Sequence, residues 1–260
     1  MTNPHGSFIW YELMTADPEA ATRFYGDIVG WTVGDRQPGP VDYRIIQAAE
    51  GNAGGMLALS QEMRDGGGRA GWFGYFGVDD VDAAAAGVAA AGGEIHLEPF
   101  DVPGAGRIAM VSDPQGIPFY VMRGASDEDS DAFSRHVLGH VGWNELHAPD
   151  DEAALTFYAD HFGVHKVGAM PMPGMGDYSF IAHGDSDDAI GAVMRTPPGA
   201  PSGWGFYFLV PDIHVARRRI ADRGGQIVSE PMEVPGGQWA LNAIDPEGVP
   251  FGLVTPAKED

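Results

Sequence analysis

Near the start of the chain, the spacing of apolar residues changes from strand-like to helix-like, and the same change recurs in the second half. Residues 8–14 are rich in aromatic side chains and alternate in character, which predicts a strand. Asp17 then provides a helix N-cap, Phe24 and Ile28 recur at helical spacing, and Gly30 ends the pattern. A strand followed by a helix is therefore predicted at the start of the chain.

The same alternation of patterns continues through the first half of the chain. It predicts strands at 41–48, 53–60 and 72–78, a helix at 80–91, and strands near 94–100, 106–112 and 117–122. The segment from Asp113 to Gly116 reads Asp-Pro-Gln-Gly, which favours a tight turn. This half is therefore predicted to be βαβββ followed by a second βαβββ.

The second half repeats the first. Residues 8–31 match residues 141–164 without gaps, so that Trp10 aligns with Trp143 and Glu12 with Glu145. The similarity continues to the ends of both halves, where the Asp-Pro-x-Gly turn recurs. An internal repeat of this length predicts two similar domains, at 1–125 and 139–260, joined by an acidic linker at 126–138. Within that linker, the residues of Ser126–Asp131 are expected to be solvated.

The repeated motifs resemble those of the vicinal oxygen chelate superfamily, which contains glyoxalases, bleomycin-resistance proteins and dioxygenases. The shared features are Asp17 with Phe24-Tyr25 and Gly30, and the Asp-Pro-x-Gly turn, each present twice. The resemblance is closest to tandem-domain, glyoxalase-like proteins. It implies an α+β fold of two tandem domains, each made of two βαβββ modules that form a curved mixed sheet with helices on its convex face. The concave face, which we call the cup, holds the functional site in this superfamily.

The resemblance also implies where metal ligands would stand. Metal-dependent members place His, Glu or Gln seven residues before the capping Asp, seven residues after the Asp of Asp-Pro-x-Gly, and at related strand positions. The corresponding residues here are Trp10, Trp143, Phe73, Gly205, Tyr120 and Gly252, with a fourth position near Met56 or near Ala192 and Val193. None of these side chains is an ordinary ligand of a divalent metal. We therefore predict no cofactor and no metal at the usual site, and a metal held by other residues stays an alternative.

Strand alternation predicts which side chains face each cup. Both sets are aromatic and include one carboxylate, which is typical of small-molecule sites. The predicted ligand-binding residues are Trp10, Glu12, Phe73, Tyr75, Tyr120, Trp143, Met175 and Tyr207, while Met14 and Met122 are expected to share the first cup. Aromatic residues on a strand also serve as simple packing.

The two repeated carboxylates allow several interpretations. Glu12 and Glu145 could form a structural salt bridge, for example with Arg107, contact a ligand or act as a base, or bind an unconventional metal. His147 should face the same cup as Glu145, so that the two form a candidate catalytic acid–base pair. An ordinary hydrogen-bonded histidine is the alternative. Its counterpart Met14 is not titratable, which makes the second cup the better candidate for catalysis.

Two further features distinguish the second half. The Met-rich segment Met170–Tyr178 is interpreted as a lid over the second cup, or else as a mobile surface loop. Gly252 replaces the large Tyr120, which predicts a more open second cup.

Composition restricts the partners. The formal charge of −22, from 15 basic and 37 acidic residues, disfavours nucleic acid and anionic membranes. The absence of cysteine excludes disulfides and thiolate sites, and the sequence suggests neither a signal peptide nor a membrane span. We expect a cytoplasmic monomer or homodimer.

Three functions remain open at this stage. The first is a metal-free protein that binds a small aromatic or planar molecule in its cups. The second is a lyase, isomerase or glyoxalase-type enzyme that acts on a small carbonyl metabolite with Glu145 and His147. The third is a scaffold whose cups are filled by its own side chains.

Overall fold

The structure, a computed structural model, describes residues 3–256. The first copy of the repeat contains β1 (Phe8–Thr15), α1 (Pro18–Val29), β2 (Thr32–Val33), β3 (Tyr43–Gln47), β4 (Asn52–Ala58), α2 (Gln61–Asp65), β5 (Gly71–Gly77), α3 (Val81–Ala90), β6 (Glu94–Val102), β7 (Gly106–Ser112) and β8 (Pro118–Gly124). The second contains β9 (Val141–Ala148), α4 (Asp151–Phe162), β10 (Val164–Met172), β11 (Gly176–His183), β12 (Gly191–Arg195), β13 (Gly203–Leu209), α5 (Ile213–Asp222), β14 (Gln226–Ile227), β15 (Met232–Glu233), β16 (Trp239–Ile244) and β17 (Pro250–Val254).

These elements form four βαβββ modules, which confirms the predicted α+β fold. Module 1 runs from β1 to β4, module 2 from β5 to β8, module 3 from β9 to β12 and module 4 from β13 to β17. In each module the first and last strands are parallel and the remaining strands pair antiparallel. The strands form two mixed sheets, one of eight strands from β1 to β8 and one of nine strands from β9 to β17.

The four module helices begin in the same way. The Asp17 carboxylate accepts a hydrogen bond of 2.9 Å from the backbone N–H of Ala20, and the equivalent aspartates cap the other helices. Helix α1 ends at Gly30, whose φ of 90° is readily adopted only by glycine. The predicted helix start and end signals are confirmed.

The modules group into two compact units that do not follow the sequence repeat. Unit 1 consists of residues up to Ile9, 73–130 and 144–204, and thus of modules 2 and 3. Unit 2 consists of 10–72, 131–143 and the residues from 205 onward, and thus of modules 1 and 4. Each unit takes one module from each copy of the repeat. The domain boundaries inferred from the repeat stay a prediction.

A buried Trp–Tyr–Asp chain of hydrogen bonds joins the two copies of the repeat within unit 2. The Trp72 indole N–H donates to the Tyr25 hydroxyl (3.0 Å), which donates to Asp245 Oδ2 (3.1 Å). Burial, followed by the Asp245 charge, raises the Tyr25 pKa, and burial also raises the Asp245 pKa. The helix tyrosine of the first copy is therefore bonded to the Asp-Pro-x-Gly turn of the second.

Unit 1 contains the equivalent chain of hydrogen bonds, in which the tyrosine comes from the second copy and the aspartate from the first. Trp204 donates to the Tyr158 hydroxyl (3.0 Å), which lies 3.4 Å from Asp113 Oδ2. The pKa values of Tyr158 and Asp113 are raised, again mainly by burial. The tyrosine and the turn aspartate of the repeated motif thus bond between the two copies, which explains why the motif contains both residues.

The variable residue of each Asp-Pro-x-Gly turn makes a second bond between the copies. In unit 2, the Glu247 carboxylate accepts bonds from the Thr15 hydroxyl (2.5 Å) and the Ala16 N–H (2.8 Å). In unit 1, the Gln115 side chain accepts from the backbone N–H of Asp150 (2.7 Å) and donates to its carbonyl (2.9 Å). Both contacts fix the start of a module helix.

Two predicted loops differ in the structure. The Met-rich segment is not a lid loop: β10 extends to Met172, β11 begins at Gly176, and a tight turn closes the hairpin with a 3.0 Å bond from Met175 N to Met172 O. In the linker, the residues from 126 to 129 are exposed, but Ser130 bonds to Asn3 and to the Ile9 carbonyl. Ser130, which was predicted to be solvated, is therefore tied to the N-terminal segment, while Asp131 is exposed.

The helices within residues 3–256 include none that is long and apolar enough to cross a membrane.

Candidate functional site

The candidate acid–base pair lies on β9 in unit 1. Glu145 and His147 are two residues apart on this strand, and His147 Nε2 lies 2.9 Å from Glu145 Oε1. The Glu145 side chain is 11% exposed and that of His147 is 27% exposed. The imidazole therefore lies closer to solvent, with the carboxylate behind it.

Tyr178 completes this cluster. Strand β12 pairs with both β9 and β11, which places the Tyr178 hydroxyl 2.6 Å from Glu145 Oε2. The hydroxyl donates, because an ionised carboxylate can only accept. Tyr178, preceded by Asp177, corresponds to Tyr43, preceded by Asp42, in the first copy, and the sequence pattern did not assign this repeated tyrosine to the site.

The cluster fixes the tautomer of His147. An ionised carboxylate can only accept, so the Nε2 of His147, which lies 2.9 Å from Glu145 Oε1, carries the hydrogen. The other nitrogen, Nδ1, has no hydrogen-bond partner among residues 3–256. It is a proton acceptor in a partly exposed position, which is the arrangement that a general base requires.

The equivalent strand of the first copy carries Trp10, Glu12 and Met14 in unit 2. The Trp10 indole N–H donates to the Tyr43 hydroxyl at 2.8 Å, and the Trp10 side chain stays partly exposed. Glu12 is almost fully buried. The Tyr43 ring occupies the space next to Gly55, where any side chain would collide with it. Here the repeated tyrosine accepts a bond from tryptophan.

The aromatic residues predicted for the first cup in module 2 share one face of their strands. Tyr75 and Tyr120 are paired on parallel strands and their rings are stacked, with centroids 4.3 Å apart. Phe73 contacts Tyr120 edge-on at 6.2 Å. Tyr75 and Tyr120 are buried, whereas Phe73 is partly exposed. The three rings therefore form an aromatic cluster that is accessible to solvent at Phe73.

In module 4, Tyr207 fills the space that Gly252 leaves. A side chain at position 252 would overlap the Tyr207 ring, which lies directly across the parallel strand pair. The expectation of a more open second cup was therefore wrong at this position. Trp143 packs against the cluster formed by Tyr207 and its neighbours, and the Arg135 guanidinium lies over its ring at 5.9 Å. Trp143 remains partly exposed.

The suggested salt bridge to Arg107 was wrong. The Arg107 guanidinium binds Asp82 at 2.6 Å and Asp101 at 3.1 Å, at the surface of module 2. Met175, also predicted to bind ligand, lies in the hairpin turn described above. The ligand-binding roles assigned from the sequence stay predictions.

The residues at the expected ligand positions do not fit a metal ion. Their indole, phenyl, phenol and glycine groups include no imidazole or carboxylate, and the Tyr75–Tyr120 stack occupies part of that face. Within residues 3–256, no three His, Asp or Glu side chains are grouped closely enough to hold a metal.

Comparison with known proteins identifies the family. The model of the Glyoxalase/Bleomycin resistance protein/Dioxygenase superfamily matches residues 7–121 and 137–253. The chain belongs to this superfamily. Among curated relatives, the chain is 30% identical to CFP32 of Mycobacterium bovis, which carries a glyoxylase name, over 96% of this chain and 95% of the relative. It is 31% identical to the anthracycline biosynthesis protein DnrV of Streptomyces peucetius, over 96% and 93%.

Solved structures agree on the superfamily fold. The 2,3-dioxygenase LapB from Pseudomonas sp. KL28 superposes with a TM-score of 0.68 at 13% identity, covering 100% of this chain and 95% of LapB. The Mn(II)-bound glyoxalase from Novosphingobium aromaticivorans gives a TM-score of 0.65 at 17% identity, covering 100% and 84%. At these identities the similarity shows the fold alone.

Proposed function

We propose that this protein binds a small planar, aromatic molecule and that the binding does not depend on a metal. The observation that carries the proposal is the pair of tryptophans, Trp10 and Trp143, at equivalent positions on the first strands of the two copies. Both are partly exposed, and each is held by a neighbour, Tyr43 or Arg135. A fixed, accessible indole ring is a surface on which a planar ligand stacks.

The relatives support a ligand of this kind. DnrV and its relative DauV are named as anthracycline biosynthesis proteins, and anthracyclines are polycyclic aromatic compounds. The acidic surface of this chain favours a neutral or cationic ligand over an anionic one. The proposal also includes a cytoplasmic location. The partner is a small molecule, and binding to nucleic acid or membranes is not part of the proposal.

A direct test uses a panel of planar aromatic compounds with a matched set of tryptophan variants. Binding is measured by isothermal titration calorimetry and by the shift of the thermal unfolding midpoint for wild type, Trp10→Ala, Trp143→Ala and Trp239→Ala. Trp239 is the control, because it is also partly exposed but packs beside His214 of α5. Its neighbour Ala240 packs against the Tyr207 cluster, so Trp239 points to the other side of β16.

We expect loss of one stacking platform to weaken binding about tenfold, since aromatic contacts of this kind contribute about 1–3 kcal/mol. Trp239→Ala should leave the affinity unchanged. Equal loss in all three variants, or no binding by any planar compound, would contradict the proposal.

A second candidate function is acid–base catalysis on a small carbonyl compound. The hydrogen bond between Glu145 and His147 and the available Nδ1 favour it. Turnover of a carbonyl substrate that is abolished by His147→Gln but unaffected by His96→Gln, which replaces an exposed histidine on β6, would support this function. Metal analysis of the purified protein separates it from a metal-dependent reaction: stoichiometric metal that is lost in Glu12→Ala or Glu145→Ala would contradict the metal-independent proposals.

A further inference from the structure

We propose that His147 accepts the proton of an ionisable hydroxyl group on the bound molecule, so that the ligand class is a planar phenol or enol. This inference rests on the proposed function, because it specifies the kind of planar molecule that is bound. Its basis is the arrangement of Tyr178, Glu145 and His147 in unit 1, where two hydrogen bonds of 2.6 and 2.9 Å lead from the buried carboxylate to a partly exposed imidazole.

The direction of proton transfer follows from the hydrogen bonds. Glu145 holds the Nε2–H of His147, which leaves the lone pair of Nδ1 available for a ligand. The O–H bond of the ligand breaks, its proton binds to Nδ1, and the ligand oxygen keeps the electron pair as a phenolate or enolate. The imidazolium that results is stabilised by the Glu145 carboxylate at 2.9 Å, and no further reactant is needed.

Glu145 and Tyr178 act as positioning residues in this scheme. The Glu145 side chain is 11% exposed, and Tyr178 occupies its second oxygen, so that the carboxylate is held in the orientation that reaches His147. Without the Tyr178 hydroxyl, the carboxylate loses the 2.6 Å hydrogen bond that helps to hold its orientation toward the imidazole. Tyr178 therefore acts through Glu145, without contact to the ligand.

The first copy cannot perform the same step. It has Trp10, Glu12 and Tyr43 at the equivalent positions, but Met14 replaces His147 and provides no proton acceptor. One ionising site per chain is expected.

The experiment uses 4-nitrophenol, whose phenolate form has a visible absorption band, together with 4-nitroanisole, which has the same ring but no hydroxyl hydrogen. Both are titrated into the full-length protein while binding is measured by calorimetry and ionisation by absorbance, across a range of pH. We expect bound 4-nitrophenol to show the phenolate band at a pH where the free compound is protonated. The His147→Gln variant should lose the band and bind 4-nitrophenol about tenfold more weakly, with 4-nitroanisole unaffected.

Two variants separate positioning from a merely structural role. Tyr178→Phe should keep the phenolate band but move its appearance to higher pH, because the imidazole is held less well. The control variant His96→Gln, which replaces an exposed histidine on β6, should change neither the band nor its pH dependence. Should His147→Gln fail to fold, nitrogen NMR of labelled histidine in the wild type provides the same information, since hydroxyl binding must convert His147 from the Nε2–H tautomer to imidazolium.

The possible failures are distinguishable. If 4-nitrophenol and 4-nitroanisole bind equally and no phenolate band appears, this inference is wrong while the planar-ligand function stands. If neither compound binds, both the planar-ligand function and this inference are contradicted.

Discussion

The first strands of the two copies carry the same Trp and Glu but differ two residues further on, where Met14 stands in the first copy and His147 in the second. In the first copy, Tyr43 accepts a hydrogen bond from Trp10. In the second, Tyr178 donates to Glu145, which in turn holds His147. By contrast, the Trp–Tyr–Asp chains, built around Tyr25 and Tyr158, are nearly identical in the two units. The repeat thus kept its scaffold and diverged at the residues that can do chemistry.

The largest effect is expected when the copies are separated. A fragment that ends at Ser130 retains Tyr25 and Trp72 but lacks Asp245, and it retains Asp113 without Tyr158. Buried polar groups would lose their partners, and the apolar faces of modules 1 and 2 would lose their packing. We expect the fragment to pair with a second copy of itself or to aggregate, measured by light scattering after size-exclusion chromatography. A stable, well-folded monomer would show that the bonds between the copies are not needed.

The next effect concerns the shared aspartates. Asp245→Ala leaves the N–H groups of Glu247 and Val249 and the hydroxyl of Tyr25 without an acceptor, and should cost about 2–4 kcal/mol of unfolding free energy. Asp113→Ala should cost a similar amount in unit 1. Denaturant unfolding measures both values. A large difference between the two losses of unfolding free energy would show that the two scaffolds are not equivalent.

Replacement of the same aspartate by asparagine separates the loss of its hydrogen bonds from the loss of its charge. The pKa values of both aspartates are raised by burial, so the ionised carboxylates cost folding free energy at neutral pH. This cost falls as the pH decreases through the folded-state pKa toward the unfolded value. Asp245→Asn keeps an acceptor oxygen and carries no charge, and should therefore be less destabilising than Asp245→Ala at pH 7. An asparagine variant as unstable as the alanine variant would contradict this account.

A smaller effect on stability is expected from His147→Met, which gives the second copy the residue of the first. The His147 side chain is partly exposed, so the unfolding free energy should change by less than about 1 kcal/mol. The phenolate band of bound 4-nitrophenol should nevertheless disappear. Retention of the band in this variant would place the proton acceptor elsewhere.

The smallest effect is a pH dependence confined to the second copy. Burial lowers the pKa of His183, whose Nε2 donates to the His5 carbonyl at 2.8 Å, while the aligned residue of the first copy is Ala48. The unfolded chain then binds a proton first as the pH falls. The stability contribution of neutral His183 is complete above its unfolded pKa and is lost as the pH falls through the lower, folded value. Denaturant unfolding at several pH values should show a flatter profile below pH 7 for His183→Gln than for wild type.

Local patterns predicted most of the elements. Capping by Asp17, the glycine at position 30 and the alternation in β1 all depend on neighbours within a few residues, and the structure agrees with them. The short helix α2 and strand β2 were not predicted. Helix α2 spans only Gln61–Asp65, too short for a hydrophobic period to be recognised.

Only part of the candidate site could be predicted from the sequence. The proximity of Glu145 and His147 follows from strand alternation, because the residues are two apart on β9. Tyr178 is thirty-three residues away from Glu145 and reaches it only through the pairing of β11, β12 and β9. The partners of Arg107 and the ring of Tyr207 over Gly252 likewise depend on tertiary packing, which a sequence pattern does not specify.

The assignment of modules to compact units has a consequence for how the chain folds. All residues of unit 1 have been synthesised once the chain reaches residue 204. Unit 2, by contrast, needs β1 to β4 from the start of the chain and β13 to β17 from its end. Contacts such as that between Tyr25 and Asp245, 220 residues apart, have high contact order and form slowly. Module 1 must therefore wait for the last part of the chain, with its apolar face uncovered, while unit 1 can already fold on the ribosome.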